Sequence, residues 1–480
     1  MIGALEPSSL WKHFNELCKI PRPSKGEQHV SRFIQQTAHK LNLAVQIDSI
    51  GNVLVKKDAC SENKNRPTVI LQSHLDMVQQ KNSGVDHDFQ HDPIQTYIDG
   101  DWVKAKDTTL GADNGIGVAA ALSVLESTDI DHGPIEALFT VDEETGMSGA
   151  FHLSPELLKG KFLINLDSEN DDELCIGCAG GINATAQLTT ICEIADNHRT
   201  SFQISLKGLR GGHSGIDIHL GRANAIKQLN RVLFELVQNF DIRISSFSGG
   251  SARNAIPREA FATFVIANSY IDELKAFIAV LQNKLYQEYS VTDPEIRLEL
   301  TQIPPVKQVL TSPAQENLLR AIYACPNGVM RMNNQLPELV ETSNNLAMLE
   351  CNEGENTIHC LLRSSLESAR DDLSNAVLCA LSLAEAHVEF SGAYPGWEPD
   401  PDSELLKILQ STYEDLFQKK PDIRAIHAGL ECGIIGAKYP GLDMVSIGPT
   451  ICHPHSPDEA VSIRSVQKFW RFLSASLEKI

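Results

Sequence analysis

The segment IEALFTVDEETGMSGA, residues 135–150, sets an apolar run against three consecutive acids, Asp142, Glu143 and Glu144. Ile135, Leu138, Phe139 and Val141 have the composition of a buried strand. Adjacent carboxylates at a buried strand end repel one another and are costly unless cations or protons compensate them. The pattern recurs along the chain. SHLDMV at 73–78 follows the apolar run 69–72, LGADNGIGVA places Asp113 in a glycine-rich turn, and LINLDSE ends in acids that include Asp167. Near the C-terminus, IGPTICHPHSPDE supplies His453 and His455.

Together these residues have the chemistry of a metal centre. His74 and Asp76, two apart, face the same side of an extended strand, so the imidazole is expected to ligate and the carboxylate to orient it. Asp113 sits where glycines allow a tight turn into a helix, and a carboxylate there can bridge two cations through its two oxygens. Glu144 and Asp167 add oxygen ligands. Two imidazoles and three carboxylates suit a pair of Zn²⁺-like ions, whereas an all-oxygen set would suit Mg²⁺ or Ca²⁺. With Glu144 on a metal, Glu143 remains beside it as a base for a water whose pKa the ions lower to about 7. Attack on a polarised carbonyl, with Glu143 passing the proton to the departing amine, is amide hydrolysis.

Such residues need strands to deliver them to one place. Apolar runs at 53–55, 69–72, 135–141 and 162–166 predict strands, a helix is predicted over about 115–126, and Ser24 with Glu27 reads as a capping box before a one-faced helix. In an open α/β sheet, ligands bind at the carboxyl ends of the strands, where these acids lie. From about residue 185 the texture changes to long β-rich and helical stretches, and SGAYPGWEPDPDS, 391–403, reads as a linker back to α/β patterning. The expected fold is a discontinuous α/β catalytic domain, 1–184 and 394–480, a mixed sheet flanked by helices, with an inserted α+β domain at 185–393. No fixed-period repeat is evident.

Composition narrows the partners. In 480 residues, 62 acids against 41 Lys and Arg give a formal charge of -21, which opposes nucleic acid or an anionic membrane as a partner. No apolar run reaches the roughly 18 residues of a membrane span, and eleven scattered cysteines fit reduced thiols in a cytosolic compartment. Cys175 and Cys178 form a lone CxxC that reads as ordinary thiols, and GLRGGHSG, 208–215, lacks the GK[ST] ending of a phosphate loop.

The motifs SHLDMV, GADNGIG, DEETGMSGA, NLDSE and GGHSG resemble the co-catalytic zinc metallopeptidases that include peptidase T, carnosinases and aminoacylases, and the likeness spans nearly the whole chain. Within that family, HAGLECG at 427–433 and PHSPDE at 454–459 are similar to those of the aminoacyl-histidine dipeptidases. The resemblance implies a dinuclear zinc site, also open to Co²⁺ or Mn²⁺, on His74, Asp113, Glu144, Asp167 and His455 rather than His453. Asp76 would support His74, and Glu143 would be the base. It also implies that the inserted domain is a lid that makes a homodimer, with His213 stabilising the oxyanion and Arg253 and Asn254 gripping substrate. Gly429 and Glu431 would line the pocket. The implied substrates are unblocked dipeptides, Xaa-His and β-alanyl-histidine (carnosine) among them. The alternatives are a same-fold hydrolase of N-acyl amino acids or tripeptides, because a metal centre alone does not specify which amide is cut, and a non-catalytic zinc-binding paralogue.

Overall fold

The protein is described by a computed structural model covering residues 2–60, 63–352 and 356–480. It divides into two compact units. The chain up to Gly177, Trp397–Ala425 and Leu430–Ile480 form the first, and Cys178–Gly396 with Ile426–Gly429 the second.

The first unit is built on an eight-stranded sheet in the order Ala44–Ile47, Val53–Lys57, Ile135–Thr140, Val69–His74, Phe162–Asn165, Asp443–Ser446, Glu173–Cys178, Asp422–Ile426. The four strands from Ile135–Thr140 to Asp443–Ser446 are parallel. Every residue of Val69–His74, Ile135–Thr140 and Phe162–Asn165 is buried, as parallel strands covered on both faces require. His74 pairs with Thr140 and Gln72 with Asn165, so the chain leaves these strands at one edge of the sheet. A smaller sheet of Ile451–Cys452, Ala460–Ser462, Trp102–Ala105 and Thr96–Asp99 holds the hairpin that carries His455.

The helix Ala112–Glu126 starts three residues earlier than its apolar run suggests, because Asp113 and Asn114 form a kinked, non-helical entry. Every residue from Asn114 to Leu125 is buried, and each fully buried Val or Leu contributes about 1.5–3 kcal/mol. At Gly117 a Cβ would lie 2.6 Å from the Leu166 carbonyl, so only glycine lets this helix approach the strand exit that leads to Asp167.

The capping box expected from Ser24 and Glu27 does not form. The helix Gln28–Lys40 begins without a side-chain cap, because Ser24 Oγ donates to Asp76 and Glu27 accepts from the backbone N–H of Lys25 and Asp142. Longer-range partners have taken both side chains.

The second unit holds a nine-stranded antiparallel sheet. One half is a βαββαβ succession: Arg199–Lys207, helix Ala225–Asn239, Arg243–Gly249, Ala260–Ala267, helix Ile271–Tyr289 and Arg297–Gln302. The other half repeats it with Gly180–Gln187, helix Ser312–Ala324, Val340–Cys351, Asn356–Ser364, helix Glu367–Ser382 and His387–Tyr394. The halves join where Phe247 faces Cys351, and all four helices contribute to one apolar core. The repetition lies in topology, without a period in the residues. The stretch read as a linker at 391–403 begins inside a strand, since His387–Tyr394 pairs with Gly180–Gln187. None of the eleven cysteines is in a disulfide.

Candidate metal centre

The strand exits of the first unit bring five side chains together. His74 Nε2 lies 3.0 Å from Asp113 Oδ1 and 3.4 Å from Asp167 Oδ1. His455 Nε2 lies 3.0 Å from Asp113 Oδ2 and 3.1 Å from Glu144 Oε2. These contacts define two donor groups, His74–Asp113–Asp167 and Asp113–Glu144–His455, which share the Asp113 carboxylate. Glu143 and Glu144 form a further close set with His74. His453 belongs to none of the groups found among the described residues.

The charges are strongly coupled. Burial alone would lower the His74 pKa, but Asp167, Asp113 and Asp76 outweigh it and hold the imidazole well above its ordinary range. Hydrogen bonds to Asp113 and Glu144, set against burial, raise His455 to about 11. Burial would raise Asp113, yet His455 and His74 hold it well below the usual carboxylate range. Burial, with the nearby charges of Asp113 and Glu144, pushes Asp167 up to about 6, although His74 opposes this. Burial also pushes Glu143 well up, with Asp167, Glu144 and Glu431 adding to it against His74. In the metal-free chain, protonated imidazoles thus occupy the role of cations.

The residues fit divalent ions. Glu144 Oε1 and Asp167 Oδ1 are buried without a hydrogen-bond partner, a costly state that a metal bond would relieve. Tetrahedral ligands at about 2.1 Å from an ion stand about 3.4 Å apart, close to the 3.0–3.4 Å separations of these donors.

A family model, Peptidase family M20/M25/M40, matches residues 70–479. The chain belongs to this family. Membership makes it a peptidase and implies a metal cofactor. The cytosol non-specific dipeptidase of Escherichia coli (strain K12) is 44% identical over 479 residues, 100% of this chain and 99% of that protein. The crystal structure of aminoacylhistidine dipeptidase from Vibrio alginolyticus matches with a TM-score of 0.93 at 46% identity, covering 100% of this chain and 98% of that one. Aminopeptidase PepT from Bacillus cereus, 16% identical with a TM-score of 0.58 over 99% of each chain, shares the fold.

In this M20 peptidase two further buried carboxylates, Asp76 and Glu431, lie outside the donor groups. Asp76 faces His74 Nδ1 at 3.4 Å, and its carboxylate accepts the N–H groups of Glu143 and Glu144 at 3.0 and 3.1 Å. One side chain therefore contacts both His74 and the turn that carries Glu143. Asp76 is held down to about 2, because His74, Ser24 and the Glu143 N–H outweigh its burial. Glu431 is buried and accepts from Gln72 and Thr140, both at 2.6 Å. Its Oε1 has no hydrogen-bond partner.

Sequence reasoning assigned no role to Arg22, Glu459 or Arg363. Glu459 ends the PHSPDE motif, but nothing local marks the others.

The second unit carries the other expected residues. His213 Nδ1 accepts from the N–H of Gly215 and Ile216, which leaves Nε2 as the protonated nitrogen, and burial with Arg363 lowers its pKa against Asp217. Arg253 donates to Thr185 Oγ1 at 2.7 Å and lies 2.8 Å from His359 Nδ1, while Asn254 is exposed and its carbonyl accepts from Ser214 N–H. Gly429 is half-buried, two residues beyond the buried His427. Arg363 is buried, donates to Tyr394 Oη at 2.9 Å and leaves Nε without a partner. Such a guanidinium is suited to an anion.

Proposed function

We propose that this peptidase uses two zinc ions to hydrolyse unblocked dipeptides, including Xaa-His and β-alanyl-histidine (carnosine). The observation that carries this reading is the Asp113 carboxylate, whose two oxygens face two separate His-containing donor groups. The dipeptidase names of the Escherichia coli and Vibrio alginolyticus relatives support the substrate class.

His74, Asp113 and Asp167 would hold one ion, and Asp113, Glu144 and His455 the other. Zn²⁺, or Co²⁺ or Mn²⁺ on the same donors, would polarise the scissile carbonyl and acidify a water. Glu143 takes the proton from that water as its oxygen attacks the carbonyl carbon, and gives it to the amine nitrogen as the C–N bond breaks. Asp76 fixes the turn that aims Glu143 and orients His74. We assign oxyanion stabilisation to His213, whose neutral Nε2–H form is a suitable donor. Arg253, Asn254 and Gly429 are assigned to substrate binding, and Glu431 to the amino-terminal side.

The inserted segment, 185–393, is proposed as a lid and homodimer contact, with residues 1–184 and 394–480 as the catalytic domain. Exposed apolar side chains there, such as Ile194 at 85%, are compatible with a covered surface. A cytosolic location fits the name of the Escherichia coli relative and the absence, among the described residues, of any helix long and apolar enough to cross a membrane.

The test is a panel of Gly-His, carnosine, Ala-Ala, a tripeptide and an N-acetyl amino acid, with the zinc-loaded chain. Cleavage confined to the free dipeptides is the expected result. Preference for the acetylated or longer compound would move the assignment to a deacylase or tripeptidase.

A further inference from the structure

Two buried side chains outside the ligand set meet at one peptide of the bridging loop. Arg22, 2% exposed, donates to the carbonyls of Leu75 at 3.0 Å, Asp76 at 2.9 Å and Gly111. It ties the exit of the His74 strand to the turn before Asp113. Glu459, also 2% exposed, accepts the N–H groups of Leu110 and Gly111 on Oε2 at 2.7 and 2.9 Å. Its Oε1 accepts those of Ala112 and Asp113 at 2.7 and 3.3 Å. Glu459 shares its hairpin with His455, so it ties the second imidazole to the same turn. Gly111 is thus held by its carbonyl from one side and by its N–H from the other. Its φ is +71°, and a Cβ there would stand 2.5 Å from Arg22 Nη2, so a side chain would be strained and would displace the guanidinium.

Asp113 is common to both donor groups, and each clamp spans one of its two partnerships. A guanidinium has a rigid fork of donors, and a carboxylate holding several N–H groups is equally constrained; neither has water as an alternative partner when buried. We propose that Arg22 and Glu459 are separate positioning residues. Arg22 sets the His74–Asp113 spacing for one ion, and Glu459 sets the Asp113–His455 spacing for the other, so that each affinity can fall without the other. The inference rests on the two-ion reading above. A merely structural role for the turn would instead weaken both sites together.

The experiment is a titration of the metal-free chain with Co²⁺ against a competing chelator, read by visible absorption. It compares wild type, Arg22→Lys, Glu459→Gln and the reference variants Asp167→Ala and His455→Ala. Arg22→Lys is expected to weaken one site about 10- to 100-fold, leaving the spectrum that Asp167→Ala retains. Glu459→Gln should do the same to the other site and leave the spectrum that His455→Ala retains. Hydrogen exchange without metal gives an independent readout, in which Glu459→Gln loses amide protection at residues 110–113. Equal weakening of both sites by each variant, or of neither, overturns the proposal. If Arg22→Lys does not fold, Glu459→Gln decides alone by whether it spares the Asp167 site. A wild type that binds fewer than two ions overturns the two-ion reading itself, and this inference with it.

Discussion

Asp113 lies 3.0 Å from His74 through Oδ1 and 3.0 Å from His455 through Oδ2. A residue shared in this way differs from its neighbours in what its loss removes. Asp113→Ala is expected to abolish uptake of both ions, whereas Asp167→Ala and His455→Ala each leave one. Losing several kcal/mol of transition-state stabilisation corresponds to on the order of a thousandfold in kcat. Metal content after dialysis, measured beside dipeptide turnover, checks this. An Asp113→Ala chain that keeps two ions contradicts it.

Metal uptake should release protons. In the metal-free chain His455 is raised to about 11 by Asp113 and Glu144, and His74 is held well up by its three acids despite burial. His455 therefore carries a proton at pH 8 and His74 is biased toward its charged form, so a metal can bind only after displacing these protons. Because ions and protons compete, the apparent affinity rises with pH through the neutral range. Calorimetric titration in buffers of different ionisation enthalpy is expected to show a proton leaving each of His74 and His455. An affinity independent of pH would count against the ligand set.

Glu431 gives the metal-free fold a pH dependence of its own. Burial raises its carboxyl from 4.5 to about 7. The folded chain then binds this proton more tightly than the unfolded chain, so the group's stabilisation is full below about pH 4.5 and is lost as pH rises through about 7. The shift corresponds to roughly 3 kcal/mol. Denaturant melts at pH 5 and pH 8 should differ less in Glu431→Gln than in wild type by about that amount. An unchanged difference would show that Glu431 does not titrate in the fold.

Asp76 holds the backbone of Glu143 and Glu144. Asp76→Ala is expected to lower kcat about 10- to 100-fold with a much smaller change in KM, because the base is misplaced while substrate contacts remain. Steady-state kinetics on Gly-His decides this. A rise in KM alone would place Asp76 in substrate binding instead.

Three of the expected donor segments were legible because they follow apolar runs, and a parallel sheet sends the exits of its strands to one edge. His74, the acids after Ile135–Thr140 and Asp167 converge for that reason. His453 and His455 flank the same proline and look alike locally; the PHSPDE resemblance points to His455, and in the fold His455 is the one of the two that joins a donor group among the described residues. The supporting residues were hidden. Ser24 and Glu27 obeyed a local capping rule and were taken by distant partners. Arg22 carries no local mark of its three carbonyl acceptors. The doubled βαββαβ sheet left no sequence period, because burial and connectivity repeat while residues do not.

The central claim is that Glu143 moves the proton and is not itself a metal ligand. Its most direct test is Gly-His hydrolysis by Glu143→Ala beside wild type, each with its zinc content measured in the same sample. The expected result is a full complement of two zinc ions with kcat lowered about 10²- to 10⁴-fold. A zinc-loaded Glu143→Ala chain that turns over within a few-fold of wild type would contradict the account.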